Sequence, residues 1–142
     1  MSTALLYNNY RTRQLNGNAV NYSSDTIKVA LLTASYTPDY TNHKFYSDLT
    51  NEVVGTGYSA GGVALSGVTV TEDDVTPKSY ISASNPSWAS STITARYVAV
   101  YKSTGTGSTS ALIGLIDLGG NKSTNGDTFL LSIPSGILLT LS

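Results

Sequence analysis

The sequence predicts an all-β domain: an antiparallel β-sandwich, jelly-roll-like, of about seven or eight short strands with a short N-terminal arm or helix. Three observations predict it. Apolar residues recur at a spacing of two in short runs, which is the period of a strand. Clusters of Gly, Ser, Thr, Asn and Pro punctuate those runs. No helical pattern is long enough to supply the crossovers of a parallel sheet.

Residues 1–24 are polar, with Leu5, Leu6, Tyr7, Tyr10 and Leu15 as apolar points. The spacing of Leu6, Tyr10 and Gln14 allows a short helix, and Asn16-Gly17-Asn18 signals a turn. This segment is expected as an arm or short helix leading into a single sandwich domain at 25–142. The first clear strand is 27–33, with Ile27, Val29 and Leu31 on one face and Ala30 and Leu32 on the other. Both faces are apolar, so it is expected to be central. Ser35-Tyr36-Thr37-Pro38-Asp39 breaks into a loop, and Phe45 and Leu49 fit one helical turn around 44–50.

Glycines crowd 55–62, and a strand begins at Val63. Its apolar positions slip from odd (Val63, Leu65) to even (Val68, Val70) across Gly67, the signature of a β-bulge. Glu72-Asp73-Asp74 ends that strand in solvent. A short strand at 80–83 closes at Asn85-Pro86, and Trp88 is expected at the core edge. The longest strand signal is 92–102. There Ile93, Ala95, Tyr97, Ala99 and Tyr101 are expected on one face, with Thr94, Arg96, Val98, Val100 and Lys102 on the other. Residues 103–110 are expected as a mobile Gly/Ser/Thr loop. Residues 111–118 are apolar on both faces; Gly119-Gly120-Asn121 and Asn125-Gly126 mark turns. Phe129, Leu131 and Ile133 alternate, and after Pro134-Ser135-Gly136 so do Ile137, Leu139 and Leu141. The chain is expected to end as a strand.

Composition limits the partners. Only 12% of the 142 residues are charged and the net charge is −1. Ser and Thr make up roughly a quarter of the chain, well above ordinary usage. The surface is therefore wetted by hydroxyls and amides, with little long-range field. The basic footprint that nucleic acid requires is missing, so no nucleic-acid partner is expected. Weak repulsion between copies permits dense self-association. With no cysteine, neither disulfides nor thiolate metal sites contribute. No apolar run approaches the roughly 18 residues of a membrane span, so no membrane partner is expected. The first residues lack the basic and apolar regions of a secretory signal, so synthesis in the cytosol is expected.

The chemistry-bearing residues do not assemble into a recognisable motif. His43 is the sole histidine and is expected in a solvent-exposed loop; alone, it makes neither a metal site nor a catalytic dyad. Glu72-Asp73-Asp74 lacks the spaced pattern of a calcium loop, and adjacent strand residues point to opposite faces. Asp25, Asp39, Asp48 and Asp117 supply carboxylates, but nothing in the spacing singles out a glycosidase pair. The glycine-rich 55–62 stretch lacks the Lys-Ser/Thr ending of a phosphate loop and reads as turn chemistry. No catalytic residue, metal or cofactor is expected.

Tyrosine is the enriched group, with ten copies. Tyr suits interfaces because it supplies area with little loss of entropy. Leu5, Leu6, Tyr7, Tyr10, Tyr36, Tyr40 and Tyr58 are accordingly the expected partner-binding residues. Some of these rings could equally cap the sandwich edge.

Thr26-Ile27-Lys28-Val29-Ala30-Leu31-Leu32-Thr33-Ala34-Ser35-Tyr36-Thr37-Pro38-Asp39 and Asn51-Glu52-Val53-Val54-Gly55-Thr56-Gly57-Tyr58-Ser59-Ala60-Gly61-Gly62 carry a family pattern. Thr92-Ile93-Thr94-Ala95-Arg96-Tyr97 and residues 112–118 continue it. Together, from about Thr26 to the end, the chain resembles a family of small tailed-bacteriophage virion structural proteins. The resemblance implies a non-enzymatic particle component, either head-decoration (cement) or tail-associated. It brings no catalytic motif and no established binding residue. The leading expectation is a decoration protein on the outer surface of the virion, assembled in the host cytoplasm. It would bind the major capsid protein as a homotrimer through the N-terminal arm. The alternative is a tail- or fibre-associated module binding a host glycan receptor.

Overall fold

The structure, a computed structural model, describes residues 4–17, 20–73, 75, 78–133 and 137–141. It is mostly β, with 45% strand, a large five-stranded antiparallel sheet and two smaller sheets in a sandwich-like arrangement. In chain order the elements are β1 (Leu5–Leu6), α1 (Asn8–Leu15), β2 (Thr26–Leu32), a 3-10 turn (Tyr46–Asp48), β3 (Val63–Ala64) and β4 (Thr69–Asp73). There follow β5 (Lys78–Ser82), β6 (Ser87–Ser91), β7 (Thr94–Ser103), β8 (Leu112–Ser123), β9 (Asp127–Leu130) and β10 (Ile137–Leu141). The large sheet runs β1-β8-β7-β2-β3, and β10-β5-β4 and β6-β9 form the smaller ones.

β2 lies inside the large sheet, as its two apolar faces require. It pairs with β7 from Thr26 opposite Ser103 to Leu32 opposite Tyr97. Its other edge meets β3, and beyond β3 the loop at 51–53: Val53 N–H donates to the Leu31 carbonyl at 2.9 Å. Ile27, Val29 and Leu31 enter the main core, where they meet Val98, Val100, Ile113 and Ile116 from the same sheet. Ile81, Trp88, Phe129, Leu131 and Ile133 close that core from the smaller sheets. Ala30 and Leu32 enter a second core on the opposite face, with Tyr7, Tyr36, Ala99, Tyr101, Leu112 and Leu115. The loop that follows β2 covers this second face. Burying both faces explains why β2 is apolar at every position from Val29 to Leu32.

Several elements depart from expectation. Of the N-terminal segment, the short helix is present as α1, and the described residues 4–17 pack onto the large sheet. β1 pairs with β8, Leu5 opposite Leu115 and Leu6 opposite Gly114, and the chain then turns into α1. Gly114 makes this docking possible, because a Cβ there would lie 2.9 Å from Ala4 Cβ and 3.0 Å from the Leu5 carbonyl oxygen. Gly67 is a corner between sheets, not a bulge within one strand: β3 belongs to the large sheet and β4 to a small one. The slip in apolar phase arises because Val63 and Val70 serve different layers. Trp88 lies in a strand, β6, and packs its indole edge-on against Phe129 at 5.9 Å.

β7 does not keep one face along its length. A bulge between Ala95 and Tyr97 turns Ala95 to the main core, with Val98 and Val100, while Tyr97, Ala99 and Tyr101 face the second core. Opposite that bulge, Gly119-Gly120-Asn121 is an excursion within β8 and not a turn, since pairing resumes at Lys122. The loop at 103–110 is tied together by its own hydroxyls. Ser110 Oγ accepts from Thr104 N–H at 3.0 Å and donates to the Thr106 carbonyl at 2.8 Å. The C-terminal strand is present as β10, paired with β5. Asp74 and Pro134-Ser135-Gly136 lie outside the described residues.

Candidate functional site

Most of the tyrosines pack inward, against one or other of the two cores. Tyr7, carried into the sheet by β1, is fully buried, and its hydroxyl lies 3.0 Å from that of Tyr36. The Tyr36 hydroxyl lies 2.8 Å from His43 Nδ1, and the Tyr36 and His43 rings pack at 5.6 Å. Tyr40 packs on Tyr7 at 5.3 Å, and Tyr97 meets Tyr36 edge-on at 5.9 Å. His43, expected in solvent, is therefore the half-buried end of a three-member hydrogen-bonded chain. The reason is local: Asp39 accepts from the N–H groups of Thr41 and Asn42, folding the loop back over the sheet.

A second polar knot centres on Glu52, a residue no motif singles out. Tyr46 donates to its Oε1; Tyr58 donates to Oε2 at 2.5 Å, and Gly61 N–H to the same oxygen at 2.7 Å. Tyr58 also accepts from Leu31 N–H at 2.9 Å, so the knot clamps the 52–61 loop onto the edge of β2. Tyr101 closes it by donating to the Gly61 carbonyl. A lone acid between loops carries no sequence signal; only its three converging donors mark it.

These environments shift the phenols in one direction. Burial pushes Tyr7, Tyr22 and Tyr58 far above the usual phenol range, and Tyr46 likewise. Burial, with the Glu52 charge added, pushes Tyr101 up to about 12. In the neutral form the Tyr46, Tyr58 and Tyr101 hydroxyls donate to Glu52 and to the Gly61 carbonyl.

The candidate carboxylates are committed separately. Asp25 accepts from Asn21 N–H at 2.8 Å and pairs with Lys102 at 3.2 Å. Asp39 is held down to about 2, chiefly by the Asn42 side-chain amide and backbone N–H. Asp48 is lowered first by the backbone N–H of Lys44, and Asp117 first by the Arg96 guanidinium, 2.7 Å away. Each carboxylate closes a different loop or bulge. Among the described residues no group of three or more His, Cys, Asp or Glu could hold a metal. No helix among them is long and apolar enough to cross a membrane.

The expected partner-binding residues divide sharply. Leu6, Tyr7, Tyr10 and Tyr36 are buried in the chain's own cores. Tyr40 and Tyr58 are half-buried, the latter with its hydroxyl fully engaged. Leu5 alone is exposed, at 60%, on the outer edge of the large sheet. Clefts among the described residues open away from Leu5. One of about 630 Å3 lies between the end of β8 and β9, and one of about 300 Å3 beside Val54. The third, of about 580 Å3, lies between α1, the 20–23 segment and the β4–β5 pair. Compared with protein-family models, curated proteins and solved structures, the chain matches none.

Proposed function

We propose that this chain is a non-enzymatic structural protein of a tailed-bacteriophage particle: a head-decoration protein that binds the major capsid protein lattice on the outer virion surface, as a homotrimer. The resemblance of its strand sequences supports the particle. The observation that carries a contact role is the surface. Only 12% of residues are charged, and Leu5, Leu15, Val54 and Leu130 stand 56–95% exposed. Such a surface repels its neighbours weakly and gains by excluding water between them. The Tyr–Tyr–His chain and the Glu52 knot serve the rigidity that repeated contacts in a lattice need. Cyclic symmetry suits a trimer at the three-fold positions of an icosahedral shell.

The bridging contact is assigned to exposed points such as Leu5, since residues 4–17 are integral to the fold. The alternative, a tail or fibre module gripping a host glycan with Tyr36 and Tyr58, gains no support from those residues. Tyr36 is buried, and the Tyr58 hydroxyl is taken by Glu52 and Leu31. Quantitative mass spectrometry of purified virions tests the proposal. A copy number in simple ratio to the major capsid protein is the expected result. A handful of copies would move the protein to the tail or a vertex, and none would remove it from the particle.

A further inference from the structure

The cleft between α1 and the β4–β5 pair stands apart from both tyrosine knots. At about 580 Å3 it falls within the size range of small-molecule sites, roughly 300–1,000 Å3. Three properties define what it accepts. First, no charged side chain lines it among the described residues, so an ionic ligand would be desolvated with no counter-charge. Second, Val20, Val70 and Ile81 form an apolar wall, and Val70 is 58% exposed. Third, the remaining wall is aromatic and polar. The Tyr10 and Tyr22 hydroxyls lie 2.8 Å apart and share one proton between them, leaving the other as a donor. Gln14 also lines the cleft, and its Oε1 is buried with no hydrogen-bond donor.

An acceptor left this way gains a bond if its amide turns toward a donor, and the last torsion of Gln is soft. A ligand satisfying all three properties is neutral, carries an N–H beside a small apolar group, and offers hydroxyls around it. A plain hexose leaves the apolar wall uncovered, and a hydrocarbon leaves the amide unpaired. We propose that this cleft binds a neutral N-acetylated hexosamine. The acetamido N–H donates to Gln14 Oε1, the methyl group rests on Val20, Val70 and Ile81, and the ring hydroxyls meet Asn21 and Ser79. The assignment rests on the chemistry of the cleft and is independent of the protein's place in a particle, so each can fail without the other.

NMR titration of the full chain tests it with two neutral probes, N,N′-diacetylchitobiose and cellobiose, which share a β-1,4 backbone and differ in the acetamido groups. Saturable binding of the first, with the second at least about tenfold weaker, is expected. Gln14→Leu should weaken the acetylated sugar about tenfold without lowering the melting temperature, because it also removes the orphaned oxygen. If Gln14→Leu does not fold, Val70→Ser at its exposed position should weaken the acetylated sugar and leave cellobiose unchanged. Absence of saturable binding, equal binding of both sugars, or full binding to the Gln14→Leu protein would overturn the assignment. Equally tight binding of N-acetylalanine methylamide would also overturn it, in favour of a peptide ligand.

Discussion

At Gly62 the backbone sits at φ +73°, and a Cβ would lie 1.7 Å from the carbonyl oxygen of Val29. Gly126 has nearly the same φ, +71°, but no atom within 4 Å of that position. The pair separates conformational strain from steric exclusion. Gly126→Ala is expected to cost about 1–2 kcal/mol, the left-handed penalty alone. Gly62→Ala should cost at least twice as much, because a central strand's backbone must move; chemical denaturation of both variants checks the difference. The tyrosine chain gives a second test. Tyr36→Phe removes the hydroxyl that joins Tyr7 to His43 and leaves a fully buried phenol without its partner. A loss of about 1–3 kcal/mol is expected, with the fold intact by circular dichroism. The sequence showed that tyrosine is enriched. It could not show which way the rings point, since a ring that lines an interface and one that lines a core have the same local sequence.

At the scale of elements, the N-terminal segment carries the sharpest expectation. Removing residues 1–24 takes away β1 and exposes the surfaces now covered by Leu6, Tyr7 and Tyr10. Each such side chain contributes about 1.5–3 kcal/mol by burial. The truncated chain should therefore lose about 5 kcal/mol or more, a large part of an ordinary domain's stability. Unchanged stability would show that the segment is a separable arm after all. Strand existence was legible where one pattern served one layer, as in β2; the Phe129, Leu131, Ile133 run was legible as core, although β9 ends at Leu130. It failed where the chain changes layers. The slip at Gly67 and the mixed faces of β7 both come from pairing partners distant in sequence, and a two-residue alternation cannot tell a bulge from a corner. Gly119-Gly120-Asn121 was misjudged for the same reason: β8 continues there because Thr94 and Ala95 pair with Ser123 and Lys122.

Across the whole molecule, the titrating groups define the pH range of stability. Asp25, Asp39, Asp48 and Asp117 are all lowered in the folded chain, Asp39 to about 2 from an ordinary 3.8. Depressed carboxylates bind protons less tightly when folded, so their stabilisation is complete above the ordinary carboxylate value. It is lost as pH falls from about 4 toward 2. The tyrosines act at the other end. Raised phenols hold their protons more tightly when folded, so their contribution is complete below the ordinary value of 10.0. It is lost as pH climbs through the folded values, about 12 for Tyr101. Melting temperature against pH should be a broad plateau with an acid limb below about 4 and a steep alkaline limb above about 10. Asp39→Asn should shallow the acid limb and leave the alkaline limb untouched. A flat stability profile between about pH 10 and 12 would show that the tyrosines are less buried than described.

Several properties of this protein were decided by its sequence alone. It determined an all-β chain of short antiparallel strands, a central β2 with two apolar faces, a strand at Ile137–Leu141 and a composition with only 12% charged residues. These follow from residue type and spacing, which act over a few residues. Tertiary structure decided the remainder: that residues 4–17 belong to the sheet, that the tyrosines turn inward around His43 and Glu52, and that Gln14 sits unpaired beside an uncharged cleft. Several of these bonds reach far along the chain: Tyr36 lies 29 positions from Tyr7, Tyr58 lies 27 from Leu31, and Tyr101 lies 40 from Gly61. No local pattern encodes such partners, because the free energy of each pair is realised only when the sheets bring them together.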